Sequence, residues 1–492
     1  MTQVCGAACV DTQSDTANCG ACGHQCGASA LCCSGACNET SSCATLSVTS
    51  IESPLMGAGW QSGGDYLTLH GTGFAAPMKV HLGDGRAAVR VIDPQTARVK
   101  TPPGPLGFVD VRVDVGSQST VMEGGFRYRT GDLMTPWQQK PLSKVRGEDP
   151  AITVLQDGRT LVAGGTTVPD KTAMALDTAE IYTRETDTVT SAANTMSTRR
   201  WQNSAVTLLD GTALVVGGAC DDDLTMCNGS DPLSADLFDP ATNMFAPTKT
   251  KLNVPRVYTR AVLLVDGRVL ISSANSADFE VYDPDAATFT VVTNTASAKA
   301  HLYGFIASLR DGRVLIGAGD MSNTTVDVFD PDTNTITATG ALNQGRSMLT
   351  AHTLPDGRVL VIGGASSSAG GIIDPLDSIE AFDPKTSMWT TMPYKMSIGR
   401  AWHASALVRD GTILAMGGYT VPMQCGSLID TVDQIDPVAG VVKPFAILPN
   451  KNTEWTAVTL LDGSVLGVGG GACGTSMALP DIDFLPGAPT PM

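Results

Sequence analysis

The feature that most constrains the fold of this chain is a motif that repeats seven times after residue 150. In each copy an apolar run leads into Asp-Gly, and a second apolar run follows. The aspartates of these pairs are Asp157, Asp210, Asp266, Asp311, Asp356, Asp410 and Asp462. Their spacing runs from 45 residues (266 to 311) to 56 residues (210 to 266), a period typical of propellers and solenoids. The sequence therefore predicts an array of similar units.

Each unit is predicted to hold four antiparallel strands. Asp-Gly between two apolar runs indicates a two-residue hairpin, because such a turn needs positive φ angles. The second strand ends in two glycines in most units, although Ser273-Ala274 and Ala318-Gly319 depart from this. The third strand ends in an apolar residue followed by Asp-Pro, which is another tight turn. Six residues after that aspartate a large apolar residue opens the fourth strand, at Phe245, Phe289, Ile336, Trp389 and Val442.

These four features together resemble the kelch repeat. The resemblance implies an all-β fold in which residues 130–492 form a seven-bladed propeller, similar to the central domain of galactose oxidase. The last unit lacks a fourth strand, and "GDLMTPWQQ" carries Trp137 at the register of Trp389. We therefore expect the strand near Trp137 to complete the C-terminal blade and close the ring.

Residues 44–129 are predicted to form a separate β unit with Gly and Pro turns. "SGGDYLTLHGTGFA" and "GGFRYR" resemble the immunoglobulin-like IPT/TIG domain. The residues that carry the resemblance are Gly63, Gly64, Gly71, Gly73, Phe74, Gly83, Pro102, Pro103, Phe126 and Tyr128. Some members of that family bind DNA, but a net charge of −17 argues against a nucleic-acid partner. We expect a spacer or interaction role.

Nine of the thirteen cysteines lie within residues 1–43. A segment this short has almost no apolar core, so we expect disulfides to staple it, in preference to a zinc site at Cys19, Cys22 and Cys26. "DTQSDTANCGACGHQC" resembles Cys-rich, stigma-specific-protein-like modules of secreted myxobacterial proteins. No signal peptide or membrane span is apparent in the sequence. The predicted location is extracellular or at the outer cell surface, with any export signal removed.

Long loops are predicted on the propeller face that carries the connections between second and third strands, at 166–178, 219–233, 365–377 and 419–430. Loops on a rigid scaffold are where binding usually resides. We expect the disulfide candidates Cys220–Cys227 and Cys425–Cys473 to tie these loops. Asp221, Asp222 and Asp223 suit calcium, but we favour a solvated acidic loop and predict no cofactor.

The segment that leads into each first strand points toward the central channel. Ten residues before each Asp-Gly aspartate stand Gly147, Arg200, Arg256, His301, Arg346, Arg400 and Asn452. Two residues further on are Asp149, Gln202, Tyr258, Tyr303, Met348, Trp402 and Glu454. Arginine forks and aromatic plates at one mouth suit an anionic or hydroxyl-rich ligand. The alternative is that each arginine only bonds to neighbouring backbone and carboxylates.

The sequence predicts a non-catalytic binding protein whose propeller mouth contacts an extracellular polysaccharide or protein. The predicted ligand-binding residues are Arg200, Arg256, Tyr258, His301, Tyr303, Arg346, Arg400, Trp402 and Glu454. A galactose-oxidase-like copper site is disfavoured, because no Tyr-His dipeptide occurs and the cysteines lie outside the strands. A hydrolase or lyase that uses Asp149 or Glu454 with His301 is one alternative. A structural surface or filament component that self-associates is the other.

Overall fold

The computed structural model describes residues 2–5, 8–11, 31–33, 36–38, 45–131, 138–142, 144–147, 149–167, 174–218, 233–297, 299–301, 303–367, 373–421, 427–470 and 481–485. In 2–5, 8–11, 31–33, 36–38, 139–141 and 481–485 only the backbone is described. The chain divides into two compact units, one built mainly from the first 130 residues and one from the remainder. Among the described residues, no helix is long and apolar enough to cross a membrane.

The first unit begins with two short antiparallel hairpins. Strand β1 (Thr2–Cys5) pairs with β2 (Ala8–Asp11), and β3 (Leu31–Cys33) pairs with β4 (Ala36–Asn38). The side chains of the nine cysteines predicted to form disulfides lie outside what the structure describes.

An eight-stranded β domain follows in the same unit. Its strands are β5 (Ser47–Glu52), β6 (Ala58–Trp60), β7 (Tyr66–Thr72), β8 (Met78–Leu82), β9 (Gly85–Asp93), β10 (Thr96–Lys100), β11 (Gly107–Val115) and β12 (Gln118–Arg129). They are hydrogen-bonded in the order β5-β7-β10-β9-β8-β11-β12-β6. Alternate residues such as Leu67, Leu69 and Val111 are fully buried, as expected for strands that cover one core. The Tyr128 hydroxyl donates a hydrogen bond to the Pro102 carbonyl at 2.8 Å.

The second unit is a propeller-like ring of small four-stranded antiparallel sheets, which confirms the predicted all-β class. The described residues contain seven such sheets, numbered here in chain order. Sheets 1 to 3 are β14 (Ala151–Val154), β15 (Thr160–Ala163), β16 (Ala179–Thr183) and β17 (Thr188–Ser191); β18 (Ser204–Thr207), β19 (Ala213–Val216), β20 (Ala235–Asp239) and β21 (Met244–Pro247); and β22 (Arg260–Leu263), β23 (Val269–Ser273), β24 (Ser276–Asp283) and β25 (Thr288–Val292).

Sheets 4 to 7 follow the same up-and-down order. They are β26 (Phe305–Ser308), β27 (Val314–Gly317), β28 (Val326–Asp330) and β29 (Thr335–Ala338); β30 (Thr350–Thr353), β31 (Val359–Ile362), β34 (Ile379–Asp383) and β35 (Met388–Thr391); β36 (Ala404–Leu407), β37 (Ile413–Met416), β38 (Thr431–Asp436) and β39 (Val441–Ile447); and β40 (Trp455–Thr459), β41 (Val465–Gly469), β42 (Asp481–Leu485) and β13 (Gln138–Pro141). A small hairpin of β32 (Ala365–Ser367) and β33 (Ile373–Pro375) extends from sheet 5.

The last sheet joins distant parts of the chain. Strand β13 pairs antiparallel with β42, with Gln138 opposite Phe484 and Pro141 opposite Asp481. This strand begins one residue after Trp137, which itself lies outside the described residues. Residues more than 300 positions apart in sequence therefore share one sheet.

Apolar cores lie between successive sheets. The second strand of each sheet is buried on both faces, as in β15, β19 and β31, which explains why these runs are continuously apolar. Phe305 of sheet 4 packs with Val359 and Trp389 of sheet 5 in one cluster. The apolar residue before Asp-Pro faces the one that opens the fourth strand, as Phe382 faces Trp389 with ring centroids 5.2 Å apart.

The Asp-Gly turns differ from the predicted two-residue hairpins. In sheet 1 the strands stop at Val154 and resume at Thr160, and only Gly158 of the pair has a positive φ, 85°. Gly158 N–H donates to the Leu155 carbonyl at 3.1 Å, and Arg159 N–H donates to the Asp157 carboxylate at 3.0 Å. The aspartate thus caps an Asx-type turn and the glycine follows it in a bulge.

Candidate functional site

The arginines that precede the first strands are internal to the sheets. Arg146, Arg200, Arg256, Arg346 and Arg400 are each at most 2 % exposed, and each pairs with a carboxylate on the third strand of its own sheet. The nitrogen–oxygen distances are 2.9 Å for Arg146–Glu180, 2.7 Å for Arg200–Asp236, 2.9 Å for Arg256–Glu280, 2.6 Å for Arg346–Glu380 and 3.0 Å for Arg400–Asp433. A buried guanidinium is tolerated because its charge is matched and at least two of its three nitrogen atoms donate hydrogen bonds.

Backbone carbonyls complete these ion pairs. Arg346 Nη1 donates to the Gly363 carbonyl at 3.0 Å, and Arg400 Nη1 donates to the Gly417 carbonyl at 3.1 Å. Arg346 and Arg400 thus each tie the first glycine of the diglycine pair to the third strand, whereas Arg256 donates to the Ser273 hydroxyl at 3.2 Å in the sheet that lacks the pair. Burial lowers the pKa of Arg346 and of Arg400, and the partner carboxylates oppose that change.

This placement corrects the predicted position of Arg200, Arg256, Arg346 and Arg400 at the channel mouth. Their side chains point into the sheets, because a guanidinium can bridge two strands and a glycine carbonyl there. His301 takes the same place in sheet 4, with Nε2 3.3 Å from Asp327 and Nδ1 2.9 Å from the Ala318 carbonyl. The counterpart in sheet 1 is Arg146, one residue before the predicted Gly147.

The second predicted register does line one ring. Its seven residues have left-handed backbone: φ is 41° at Asp149, 56° at Gln202, 47° at Tyr258, 56° at Tyr303, 58° at Met348, 49° at Trp402 and 54° at Glu454. Positive φ is uncommon outside glycine and costs energy in large side chains. Its recurrence at the same point of every sheet shows that the ring geometry, and not the individual residue, imposes it.

Backbone hydrogen bonds join these residues around the ring. Glu454 N–H donates to the Trp402 carbonyl at 3.2 Å, and Asp149 N–H donates to the Glu454 carbonyl at 3.1 Å. Gln202 N–H then donates to the Asp149 carbonyl at 3.2 Å. The chain of bonds therefore passes from sheet 6 through sheet 7 to sheets 1 and 2, across the junction between the last and first sheets.

Aromatic rings form a continuous arc along this register. Tyr258 and Tyr303 have ring centroids 4.3 Å apart, and Tyr303 and Trp402 have centroids 5.7 Å apart. Trp201 extends the arc at 6.4 Å from Tyr258, and Tyr419 extends it at 5.9 Å from Trp402. Trp201, Tyr258, Tyr303 and Trp402 are half-buried, so part of each ring is open to a ligand. We call these five residues the aromatic arc.

Two cavities lie in the channel beside the arc. The larger, of about 230 Å³, is lined by residues that include Asp149, Tyr303, Met348, Trp402 and Glu454. The smaller, of about 90 Å³, is lined by Asp149, Gln202, Tyr258 and Arg260 among others. The predicted mouth residues Tyr258, Tyr303, Trp402 and Glu454 are thus brought together, with Asp149 shared by both cavities.

Arg260 is a channel residue that the sequence reasoning missed. It opens the innermost strand of sheet 3, its side chain is exposed, and it lines both cavities. The corresponding positions of other sheets carry small or apolar residues such as Ala151, Ser204 and Ala404. The sequence did contain a signal for Arg260, because it is a charged residue at a repeat position that is uncharged in the other sheets.

Two histidines also line the larger cavity. His352 Nε2 lies 2.6 Å from the Ser405 hydroxyl, and His403 Nε2 lies 3.0 Å from the Thr350 hydroxyl. These bonds bridge the innermost strands of sheets 5 and 6. Burial lowers the pKa of His352 to about 4 and that of His403 to about 3, so both rings are neutral at physiological pH.

Asp149 is the carboxyl group most affected by the channel. Burial raises its pKa to about 6, and the positive charge of Arg260 opposes that change. Burial also raises the pKa of the Tyr258 phenol, with a further contribution from its hydrogen bond to Tyr303. The described residues of the channel therefore include two carboxylates, one guanidinium and neutral imidazoles beside aromatic faces.

Several predicted groups cannot be placed. The disulfide candidates Cys220, Cys227, Cys425 and Cys473 lie outside the described residues, as do Asp221, Asp222 and Asp223. In the part of the chain that the structure describes, no three His, Cys, Asp or Glu residues form a group that could hold a metal ion. Whether Asp221, Asp222 and Asp223 bind calcium or form a solvated acidic loop therefore stays a prediction.

Family models match two parts of the chain. Residues 46–128 match the IPT/TIG domain, and residues 349–396 match the Kelch motif. The chain carries both modules. This confirms the resemblance drawn from the glycine pattern of the first unit and from the repeat of the second. No curated protein matches the chain.

Solved structures match the chain more widely. One is described as a novel fungal alcohol oxidase with catalytic diversity among the AA5 family, in complex with copper. It is 17 % identical, with a TM-score of 0.55, over 73 % of this chain and 76 % of that one. At this identity the likeness shows the fold alone.

Proposed function

We propose that the channel mouth of the propeller-like unit binds an extracellular carbohydrate. The observation that carries this proposal is the aromatic arc, of which four rings are half-buried, beside cavities that present Asp149, Arg260 and Glu454. Aromatic faces stack on the apolar faces of sugar rings, while carboxylates and guanidinium groups bond to hydroxyls. The cavity of about 230 Å³ is small for a ligand pocket, so it takes one sugar residue of a longer glycan.

The supporting geometry is fixed before any ligand arrives. Trp402 and Glu454 are joined by a backbone hydrogen bond of 3.2 Å, and their left-handed backbone is held by the ring. A rigid site loses less conformational entropy on binding. The buried arginines contribute indirectly, because their ion pairs hold the segments that carry the arc.

The test is binding of the purified full chain to a broad glycan array. Trp402→Ala removes a central ring of the arc, and Phe108→Ala removes a ring that is 71 % exposed on the IPT/TIG domain. We expect Trp402→Ala to weaken binding about 5- to 150-fold, by analogy with the stacking of bases on aromatic side chains, which is worth roughly 1–3 kcal/mol. We expect Phe108→Ala to leave binding unchanged. Absence of binding to every glycan would move the search to protein partners.

A second candidate is an enzyme that acts on the bound carbohydrate. It is favoured by Asp149, whose pKa is raised to about 6 by burial within the channel, a value suited to general acid or base work. His301, the partner predicted for it, is instead bonded inside sheet 4. Product analysis after incubation with each bound glycan decides between the two, with Asp149→Asn expected to abolish turnover.

We further propose that the ring is a seven-bladed kelch propeller of a secreted, disulfide-stabilised protein. Seven four-stranded sheets and seven left-handed ring positions support the blade number. Thirteen cysteines, nine of them in the first 43 residues, support an oxidising compartment. Since thirteen is odd, full pairing within the chain leaves one thiol, so thiol titration of the denatured protein should find one per chain.

A further inference from the structure

The charge of the channel defines which carbohydrate suits it. Of the residues that line the two cavities, Asp149 and Glu454 are acidic and Arg260 is basic, while His352 and His403 complete the titratable set apart from tyrosines. The four arginines that the sequence predicts at the mouth are each matched by a buried carboxylate. Among the described residues that line the two cavities, the two carboxylates therefore outnumber the single guanidinium.

The location of the charges sharpens this point. Arg260 lies near enough to Asp149 to oppose the rise in the pKa of that carboxyl. The positive charge of the guanidinium is therefore partly balanced by the carboxylate. Glu454 lines the same cavity as Trp402 and Tyr303. An acidic ligand would bring a further negative charge beside two carboxylates, and like charges repel each other.

A protonated amino group fits the same place. It pairs with a carboxylate and lies favourably over the faces of Trp and Tyr rings. The chain as a whole carries a net charge of −17, which attracts a cationic polymer from a distance. Charge thus favours saccharides that carry amino groups over uronates and sulfated sugars.

We propose that the channel mouth binds a glycan that carries free amino groups, with Trp402 and Tyr303 on the sugar ring and Glu454 and Asp149 on its ammonium group. This inference rests on the proposed carbohydrate-binding function and specifies its ligand. Binding is expected to weaken as salt is added, because the attraction is partly electrostatic.

The experiment compares three oligosaccharides of equal length by calorimetry with the full chain at pH 7.5. They are a glucosamine oligomer, its N-acetylated counterpart and a uronate oligomer. We expect the glucosamine oligomer to bind at least ~10-fold more tightly than the others. Glu454→Gln and Asp149→Asn should each remove most of that preference, whereas Glu123→Gln, an exposed carboxylate of the IPT/TIG domain, should leave it intact.

The outcomes separate the two proposals. Equal binding of the glucosamine and N-acetylated oligomers, lost in Trp402→Ala, would overturn the amino-sugar inference and leave carbohydrate binding standing. Tighter binding of the uronate oligomer, or a preference untouched by Glu454→Gln, would overturn it as well. Failure of all three oligomers together with a silent glycan array would overturn both proposals.

Discussion

At the scale of single residues, buried ion pairs recur in the sheets of the propeller-like unit. Glu380 accepts hydrogen bonds from Arg346 at 2.6 Å and from the Asn343 backbone at 2.7 Å. The same pattern recurs with Glu280, Arg256 and Asn253 in sheet 3. Such a pair fixes the segment before the first strand against the third strand, so its loss should be felt throughout the sheet.

We predict that Arg346→Met destabilises the protein by about 3–5 kcal/mol, because it leaves Glu380 buried without a compensating charge. Denaturant unfolding of the full chain measures this. Lys395→Met is the control: it breaks an ion pair with Asp377 whose side chains are 61 % and 41 % exposed, and should cost less than about 1 kcal/mol. Similar losses in both variants would contradict a structural role for the buried pair.

Asp149 gives a pH dependence of known sign. Its folded pKa, about 6, lies above its ordinary value of 3.8, so its contribution to stability is full below pH 3.8 and is lost as pH rises through 6. Asparagine accepts the φ of 41°. We therefore expect Asp149→Asn to stabilise the protein by about 1–2 kcal/mol at pH 8, and to change little at pH 4.

Scanning calorimetry of both proteins between pH 4 and pH 8 tests this prediction. The difference in unfolding temperature should grow with pH and level off above pH 7. A variant that is less stable than the wild type at pH 8 would show that the Asp149–Arg260 attraction outweighs the cost of burial.

At the scale of elements, the diglycines are where one sheet meets the next. Gly364 has a φ of 91°, and its N–H donates to the Arg400 carbonyl of the following segment at 3.0 Å. A Cβ atom there would lie 2.4 Å from the Ser347 carbonyl oxygen. Backbone crowds this position, so a side chain cannot be accommodated by a rotamer change.

We predict that Gly364→Ala destabilises the protein by roughly 3 kcal/mol or more, since it combines left-handed strain with a backbone clash. Gly440→Asn is the matched control. Gly440 also has a positive φ, 69°, but the same turn position holds Asn243 and Asn334 in sheets 2 and 4 with φ of 55°. The control should cost about 1 kcal/mol or less. Thermal unfolding of the two variants gives the comparison.

At the scale of the whole molecule, ring closure depends on strand β13. It supplies the outer edge of sheet 7 by pairing with β42, and Gly470 N–H then donates to the Gly147 carbonyl at 2.6 Å. We predict that a chain starting at residue 143 unfolds at lower temperature and self-associates, whereas one starting at residue 131 stays monomeric. An exposed strand edge pairs with other chains. Sedimentation and thermal unfolding test this, and equal behaviour would contradict it.

The sequence specified the repeating elements because their signals are local. Asp-Gly, diglycine and Asp-Pro each encode a turn within a few residues, and the apolar pairs such as Phe382 with Trp389 set the register across the turn. The type of hairpin turn could not be predicted from the sequence. Asp157 caps its turn through a side-chain hydrogen bond, and the spacing of residues alone does not reveal such a bond.

Only part of the candidate site could be predicted from the sequence. The structure places Tyr258, Tyr303, Trp402 and Glu454 at equivalent points of the ring, because residues at equivalent points of a repeat occupy equivalent places. The direction of Arg200 and Arg400 could not be read from it, because a guanidinium pairs with Asp236 or Asp433 only once strands far apart in sequence have come together.

By itself, then, the sequence determined an all-β chain with an IPT/TIG domain and a kelch-type array, since turns and alternation are short-range properties. Only the tertiary structure decided which charges meet solvent. It buried the arginines in ion pairs, exposed Arg260 in the channel and left Asp149 partly desolvated. Solvation and charge pairing depend on which segments become neighbours in space, and no local pattern contains that information.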